Sequence, residues 1–363
     1  MKHFIMKKII CIGPVPEPTT GQSLAFKSFV SNSRHDVKVV DVNLTGKNIF
    51  IKFGCAFRKI FEFTILLIKF DFDAMYITTS RSNLGFLLDS IFVLLFHFVK
   101  RKKIINHLHG ADFLLFRNSS PIKKFVDFVY SKIDTSIVLC QRMKEQYANY
   151  PRMHLVDISN FSSSIISPSK IEPKLNTFKS GNIKIIYLSN LMYSKGVVDL
   201  LEAVSTLNEE GYDIELKLAG KFISDEYCSK ENLKVKVLSF LSDKIHYVGV
   251  VRGKEKEDLL SNANVFCLPT FYKTEAQPIS IIESMSYYNL SLTTNHNYNG
   301  DFLTCDDAIF FDKRNISSLM KLLRDICNNP VNYCRVMEHG YQTATTRFTL
   351  DGYVRSIDEL IEK

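Results

Sequence analysis

Tryptophan is absent from the 363 residues, while phenylalanine occurs 28 times, so a core has to be built on Phe and aliphatic side chains. The eight cysteines include no Cys-x-x-Cys pair and no regular spacing. That pattern argues against a disulfide scaffold and against a zinc site. Cys11, Cys140 and Cys267 sit in or beside apolar runs and read as buried free thiols of a reducing compartment. His107 and His109 stand two residues apart with no Cys nearby, too little for a metal site. The first strand-loop-helix lacks Gly-x-Gly-x-x-Gly, which disfavours a dehydrogenase. Residues 1–11 are a basic start running into a short strand rather than a secretory leader. The apolar run at 84–99 has 16 residues, is broken by Asp89 and is followed by Lys100-Arg101-Lys102-Lys103. A spanning helix needs roughly 20, and the flanking strands suit a helix buried against a sheet.

What is present is ordinary for a globular chain: 46% apolar and 23% charged residues, with length enough for two domains. The net charge of +8 is unevenly placed. Residues 1–170 hold 24 Lys/Arg against 12 Asp/Glu, and residues 171–363 hold 22 against 26. A basic half suits anionic lipid, nucleic acid or plain water, and no nucleic-acid motif accompanies it. Residues 48–70 interleave Phe with Lys52, Arg58, Lys59 and Lys69, as in a helix able to lie in a lipid interface. The alternative is solvated lysines over an ordinary buried helix.

Apolar runs predict strands at 7–13, 37–42, 74–78, 103–108, 135–140 and 154–159, with helices at 23–32, 48–70, 84–99, 122–132 and 141–147. Residues 162–182 are rich in Ser, Lys and Pro without periodicity, which places a linker at 166–182. Alternation resumes with strands at 184–189, 214–219, 245–248, 265–268 and 290–294. Helices are predicted at 197–208, 254–262, 279–287, 316–327, 331–343 and 352–361, with a less regular helical stretch at 221–243. Such alternation means an α/β protein with parallel sheets covered on both faces. The expected division is a first domain at 1–165, the linker, a second domain at 183–345 and a last helix within 346–363.

The most informative stretch is Glu275-Ala276-Gln277-Pro278-Ile279-Ser280-Ile281-Ile282-Glu283, directly after the strand-like Val265-Phe266-Cys267-Leu268-Pro269. Pro278 suits the first turn of a helix, where no backbone donor is needed. The amides of Ile279 and Ser280 are then free at the positive end of the helix dipole, a phosphate site. Two carboxylates flanking a phosphate suit a nucleotide-linked polyol, since carboxylates accept hydrogen bonds from sugar hydroxyls.

This stretch resembles the Glu-x7-Glu signature of retaining glycosyltransferases of family 4, which have the GT-B fold. Four further stretches resemble that family in the expected order. They are Gly13-Pro14-Val15-Pro16-Glu17-Pro18-Thr19-Thr20-Gly21, His107-Leu108-His109-Gly110-Ala111-Asp112, Ser189-Asn190-Leu191 with Lys195-Gly196, and Arg347-Phe348-Thr349-Leu350-Asp351. The resemblance implies two Rossmann-like domains facing a cleft, with the last helix crossing back to the first.

It also implies roles. Gly21 lets the backbone approach the donor diphosphate closely. Lys195 neutralises the leaving diphosphate. His109 lies at a strand's carboxyl end beside the donor sugar, with His107 expected on the opposite side of the strand in a structural role. Glu275 contacts the transferred sugar, Glu283 binds ribose, and Val250 and Val251 frame the base. Ala276, Gln277 and Pro278 replace the family's frequent Gly-Phe-Gly, placing a polar Gln277 near the sugar. Asn190 stands where the family usually has Arg, so the second charge of the diphosphate clamp is missing; Arg252 is one candidate to replace it. His109 and Glu275 are the implied catalytic residues, and Gly21, Asn190, Lys195, Ile279 and Ser280 the diphosphate contacts.

The resulting reading is a metal-independent hexosyltransferase. It carries sugar from a UDP-sugar to a glycan, expected on a polyprenyl diphosphate, and resembles bacterial O-antigen or capsule enzymes of lipopolysaccharide and polysaccharide biosynthesis. It would work in the cytoplasm or peripherally at the inner membrane face, without a cofactor and without nucleic acid. The alternatives are a GT-B sugar-nucleotide epimerase and an inactive sugar-nucleotide-binding protein.

Overall fold

β1 (Lys8–Gly13) carries Ile9, Ile10, Cys11 and Ile12, all completely buried. A strand apolar on both faces belongs in the middle of a parallel sheet covered by helices. The computed structural model describes residues 5–17, 20–43 and 49–363. Residues 1–4 of the basic start, Pro18 and Thr19 of the first loop motif, and Asn48, where the long helix was expected to begin, lie outside the described residues, as does the side chain of Lys52.

The first of two compact units comprises residues 1–160 and 350–363. Its strands are β1, β2 (Asp36–Asp41), β3 (Ala74–Ile77), β4 (Lys103–His107), β5 (Thr135–Val138) and β6 (His154–Asp157). They form one parallel sheet in the order β2-β1-β3-β4-β5-β6. The helices are α1 (Gly21–Asn32), α2 (Ile49–Lys69), α3 (Asn83–Lys100), α4 (Phe113–Ser119) and α5 (Lys123–Tyr130). At seven residues α4 is too short for a periodic signal and was not anticipated. The stretch 142–147 is a 3-10 helix rather than an α-helix. A buried polar layer ties the strand ends together. Thr79 donates to Asn106 Oδ1 (2.9 Å), and Asn106 Nδ2 donates to Tyr147 Oη (2.7 Å).

The second unit, residues 161–349, repeats the plan. It contains β7 (Ile183–Leu188), α7 (Val197–Glu209), β8 (Ile214–Ala219), α8 (Lys230–Leu238), β9 (Ile245–Gly249), α9 (Gly253–Asn262), β10 (Val265–Leu268), α10 (Ile279–Ser286), β11 (Leu290–Thr294), α11 (Asn299–Phe302), β12 (Ile309–Phe311), α12 (Ile316–Asn328) and α13 (Cys334–Arg347). The parallel order is β12-β11-β10-β7-β8-β9. β12, three residues at a sheet edge, is below the length at which alternation can be read.

The stretch placed as a linker contains α6 (Ile171–Lys179) and belongs to this unit. Phe178 is completely buried. The Lys174 ammonium is buried and donates to Leu260 O (2.9 Å), Tyr287 O (2.5 Å) and Asn289 Oδ1 (2.9 Å). Burial drives the Lys174 pKa far down. A lysine acting as a buried anchor is what hid the helix from an apolar-periodicity reading. All eight cysteines are free, with Cys11, Cys140 and Cys267 buried.

The closing helix α14 (Leu350–Glu362) is part of the first unit. Its Asp358 is completely buried and accepts from Ser33 Oγ (2.7 Å) and the Arg34 amide (3.1 Å). Asp358→Ala leaves these donors unpaired and should lower the stability of the first unit by about 1–3 kcal/mol. Urea unfolding reads the change; an unchanged midpoint would show that the Asp358 bonds add nothing to the hold on α14.

Candidate donor site

β10 ends at Leu268, and the chain then makes a loop before α10. Four hydrogen bonds fix that loop. The Phe271 amide donates to Ser194 O (2.8 Å), joining the loop to the turn that carries Lys195. Asn297 Nδ2 donates to Lys273 O (2.9 Å) and Glu275 O (3.0 Å), and the His296 ring bonds Tyr272 O (3.0 Å). Asn297 and His296 come from the turn after β11 and went unnoticed in the sequence, because nothing local marks a residue that clamps a distant loop. Burial lowers the His296 pKa.

Lys195 ends a 3-10 turn, Tyr193–Lys195. The next residue, Gly196, has φ 74° and packs so close to the Pro269 carbonyl that a Cβ would collide with it. Only glycine satisfies both conditions. The Lys195 ammonium is thereby held 3.1 Å from Glu275 Oε2 and 5.5 Å from the centre of the Tyr272 ring. Thr270 Oγ1 donates to the same Glu275 oxygen at 3.3 Å. Glu275, Ala276, Gln277 and Pro278 are all buried. Pro278 is the residue before the first helical turn, one position earlier than anticipated, with φ −62° and ψ 116°. Ile279 and Ser280 therefore open α10, where amides have no carbonyl one turn back.

Glu283, on the second turn of α10, is buried and ion-paired to Lys256 Nζ at 2.5 Å. Lys256 comes from the first turn of α9 and was not anticipated; its Lys-Glu-Lys-Glu surroundings read as a solvated face. Arg252, the candidate replacement charge, is exposed at the start of α9. Lys256 is thus the second ammonium that the fold brings to α10. Val250 is exposed and Val251 half-buried in the turn joining edge strand β9 to α9. Asn190 follows β7, and its carbonyl accepts from buried Tyr187 Oη at 3.0 Å. Burial, then the charge of Glu275, raises the Tyr187 pKa.

The remaining predicted residues lie in the first unit. Gly21 opens α1 behind the cap Thr20, whose hydroxyl accepts from the Ser23 amide at 3.1 Å. His109 follows β4, and Arg81, ion-paired to Asp112, lies close by. The His107 and His109 rings stack at 4.0 Å, so His107 shares a side with His109 rather than facing away. Residues two apart along extended chain point the same way. His107 Nδ1 bonds Tyr76 Oη at 2.8 Å. Both His109 nitrogens are buried with no hydrogen-bond partner among the described residues. Burial first, and the Arg81 charge second, push the His109 pKa down to about 3. One Asp-x-Asp triplet exists, Asp71-Phe72-Asp73, but Asp73 accepts from the Lys8 amide (2.9 Å) at the amino end of the sheet, opposite the strand ends that bear His109.

Residues 169–343, nearly all of the second unit, match the model of a family described as Glycosyl transferases group 1. Solved structures share the fold over nearly the whole chain. HepE of Anabaena, solved with UDP and glucose, has a TM-score of 0.72 at 13% identity, covering 98% of this chain and 99% of that one. Sucrose-phosphate synthase of Thermosynechococcus elongatus gives 0.71 and 13%, with 98% of each chain covered. A glycosyltransferase of Rickettsia africae gives 0.68 and 16%, again with 98% of each. No curated protein matches. The fold is therefore GT-B, as the resemblance implied.

The His109 environment makes a pH prediction. Its folded pKa lies below the unfolded value of about 6.5, so the unfolded chain binds the extra proton. The associated stability is complete above about pH 6.5 and is lost as pH falls toward the folded value. His109→Gln should flatten the decline of the urea midpoint between about pH 6.5 and about pH 4. An equally steep decline would show that the ring is protonated in the folded state.

Proposed function

We propose that the protein is a retaining glycosyltransferase of family 4 type. It transfers a sugar from a UDP-sugar to a hydroxyl of a bacterial surface glycan, of O-antigen or capsule kind, carried on a polyprenyl diphosphate. The observation that carries this reading is the arrangement around α10. Two buried carboxylates, Glu275 and Glu283, each hold one ammonium, Lys195 and Lys256, beside an uncapped helix start. Such a site supplies what a nucleotide sugar needs: cations and amides for the diphosphate, and carboxylates for hydroxyls. HepE, similar in fold, was solved with UDP-glucose, which supports a UDP-linked donor here.

In the proposed mechanism the diphosphate draws Lys195 away from Glu275 and accepts hydrogen bonds from the α10 amides of Ile279 and Ser280. Glu275 is then free to accept from the transferred sugar, with Ala276, Gln277 and Pro278 lining that pocket. Glu283 accepts from ribose, and Val250 and Val251 frame the base. Gly21 and Asn190 approach the diphosphate through backbone and neutral amide groups. The acceptor attacks from the face the diphosphate leaves, and a phosphate oxygen takes its proton, so no protein nucleophile is required. Neutral His109 stabilises the reacting sugar through its ring or carbonyl. No metal takes part, because Lys195 and the amides offset the growing negative charge.

Thermal shift against UDP-, GDP- and ADP-sugars tests the donor; a ligand at 100 times its Kd stabilises by about 2.7 kcal/mol. UDP-sugars should give the largest shift, and none from any of the three classes would sink the reading. Glu283→Ala should mainly weaken donor binding, while Glu275→Ala should lower turnover more than binding. Wild-type rates in both would remove the site assignment. Lys195→Ala should cost on the order of 10²-fold in kcat, and Asn190→Arg should raise donor affinity. Activity lost to EDTA and restored by a divalent cation would overturn the metal-free account. The same assays separate the rivals: an epimerase releases an altered sugar nucleotide without acceptor, and a binding protein shows the shift without turnover.

A further inference from the structure

The helix α3 is apolar on both of its sides. Phe86, Phe92, Val93 and Phe96 are completely buried in the first unit. The opposite side carries Leu84, Ile91 and Phe98, which are exposed, Leu84 at 65% and Phe98 at 60%. Its single charge between Arg81 and Lys100, Asp89, is buried and accepts from the Ser80 amide at 2.6 Å. The outward side therefore has no charge of its own. α2 packs beside α3, with the Phe63 and Phe92 rings edge-on at 5.0 Å. It exposes a second stripe, Phe57, Phe61 and Ile68, with Phe57 at 74% and Ile68 at 79%. The spacings, four and seven residues in α2 and seven and seven in α3, keep each stripe on one side of its helix. Scattered exposed apolar residues are ordinary, but two adjoining stripes of Phe, Ile and Leu mark a docking surface.

α3 is long and apolar enough to cross a membrane by length and composition. It connects β3 to the neighbouring parallel strand β4, and its inner side is fixed to the unit. It therefore lies along the unit and does not span. Exposed Arg58, Lys69, Arg101 and Lys102 stand on the two helices and at the end of α3. The acidic residues on these helices and the loop between α2 and β3 include Glu62 and Asp71, which are paired to Lys59 and Lys100. An apolar stripe rimmed by cations matches an anionic bilayer surface, with tails below and headgroups at the rim. A second copy related by a two-fold axis would set this cationic rim against itself.

We propose that the outward stripes of α2 and α3 form a lipid-docking face. It seats the first unit on an anionic membrane surface, such as the cytoplasmic leaflet, with the apolar side chains at the level of the acyl-chain boundary. The proposal stands independently of the sugar-transfer reading.

The absence of tryptophan provides a clean test on the full chain. Phe61→Trp and Phe98→Trp each create a single reporter. Their emission should shift to the blue on adding vesicles of phosphatidylcholine mixed with phosphatidylglycerol at low salt, and change little with phosphatidylcholine alone. In co-sedimentation, a variant with Phe57→Ser, Phe61→Ser, Ile91→Ser and Phe98→Ser should lose at least about tenfold in partitioning to mixed vesicles. A variant with Arg58→Glu, Lys69→Glu, Arg101→Glu and Lys102→Glu should lose the preference for anionic lipid. Both should keep the wild-type far-UV circular dichroism spectrum and a single cooperative unfolding transition. Unshifted emission of both reporters together with equal recovery of wild type in the supernatant of both vesicle types overturns the proposal. So does a stable dimer in sedimentation velocity that the serine variant dissociates, because the face is then covered by a second copy.

Discussion

Parallel pairing is the constraint on which everything else rests. Within each unit every strand runs the same way, so all the carboxyl ends gather on one edge of the sheet. The central strands β1 and β10 are almost wholly apolar and leave no polar side chain of their own to do chemistry. Function is displaced to the turns leaving that edge. Lys195, Glu275, His109 and the β9–α9 turn all follow strands. The price of two-sided burial is a helix on each face, and the chain supplies one after nearly every strand.

The candidate site shows how the fold keeps four charged groups in place. Glu275 and Glu283 are buried, and a buried carboxylate without a partner is costly. Each is neutralised by a lysine from a different element, the turn before α7 and the first turn of α9. In the proposed reading, a diphosphate and two hydroxyl-bearing sugars take over both sets of contacts, exchanging one partner for another without exposing a bare charge. Rigidity of the loop comes from elsewhere: Asn297 and His296 hold its backbone carbonyls, and Ser194 holds the Phe271 amide. In the first unit the stacked His107 and His109 are kept neutral by burial. The unit thereby offers an uncharged ring beside the Arg81–Asp112 pair.

The same two-layer logic leaves one anomaly. A covering helix needs one apolar side only, and α1, α7 and α12 turn polar groups outward. α2 and α3 turn Phe, Ile and Leu outward as well, and these side chains add nothing to the unit's own core.

Element order, the α/β class and the stretches following β1, β4, β7 and β10 were legible in the residues, because burial of a parallel strand writes a continuous apolar run and a helix start writes its own turn chemistry. The Glu275 and Glu283 spacing was legible for the same reason: both lie within one local strand-loop-helix. What the linear order could not carry was anything made between elements. Lys256 reads as one more solvated lysine until α9 is laid beside α10. Lys174 reads as linker until its ammonium meets the carbonyls of Leu260 and Tyr287. His107 was assigned to the wrong side, although two-residue spacing already placed it beside His109. Exposure was likewise undecidable for α3, since the apolar residues of the 84–99 run look alike whether they face a sheet or the solvent. Local patterns follow from covalent spacing along the chain, whereas partners for buried charges and the outward side of a helix depend on which distant segments tertiary packing brings within a few ångströms.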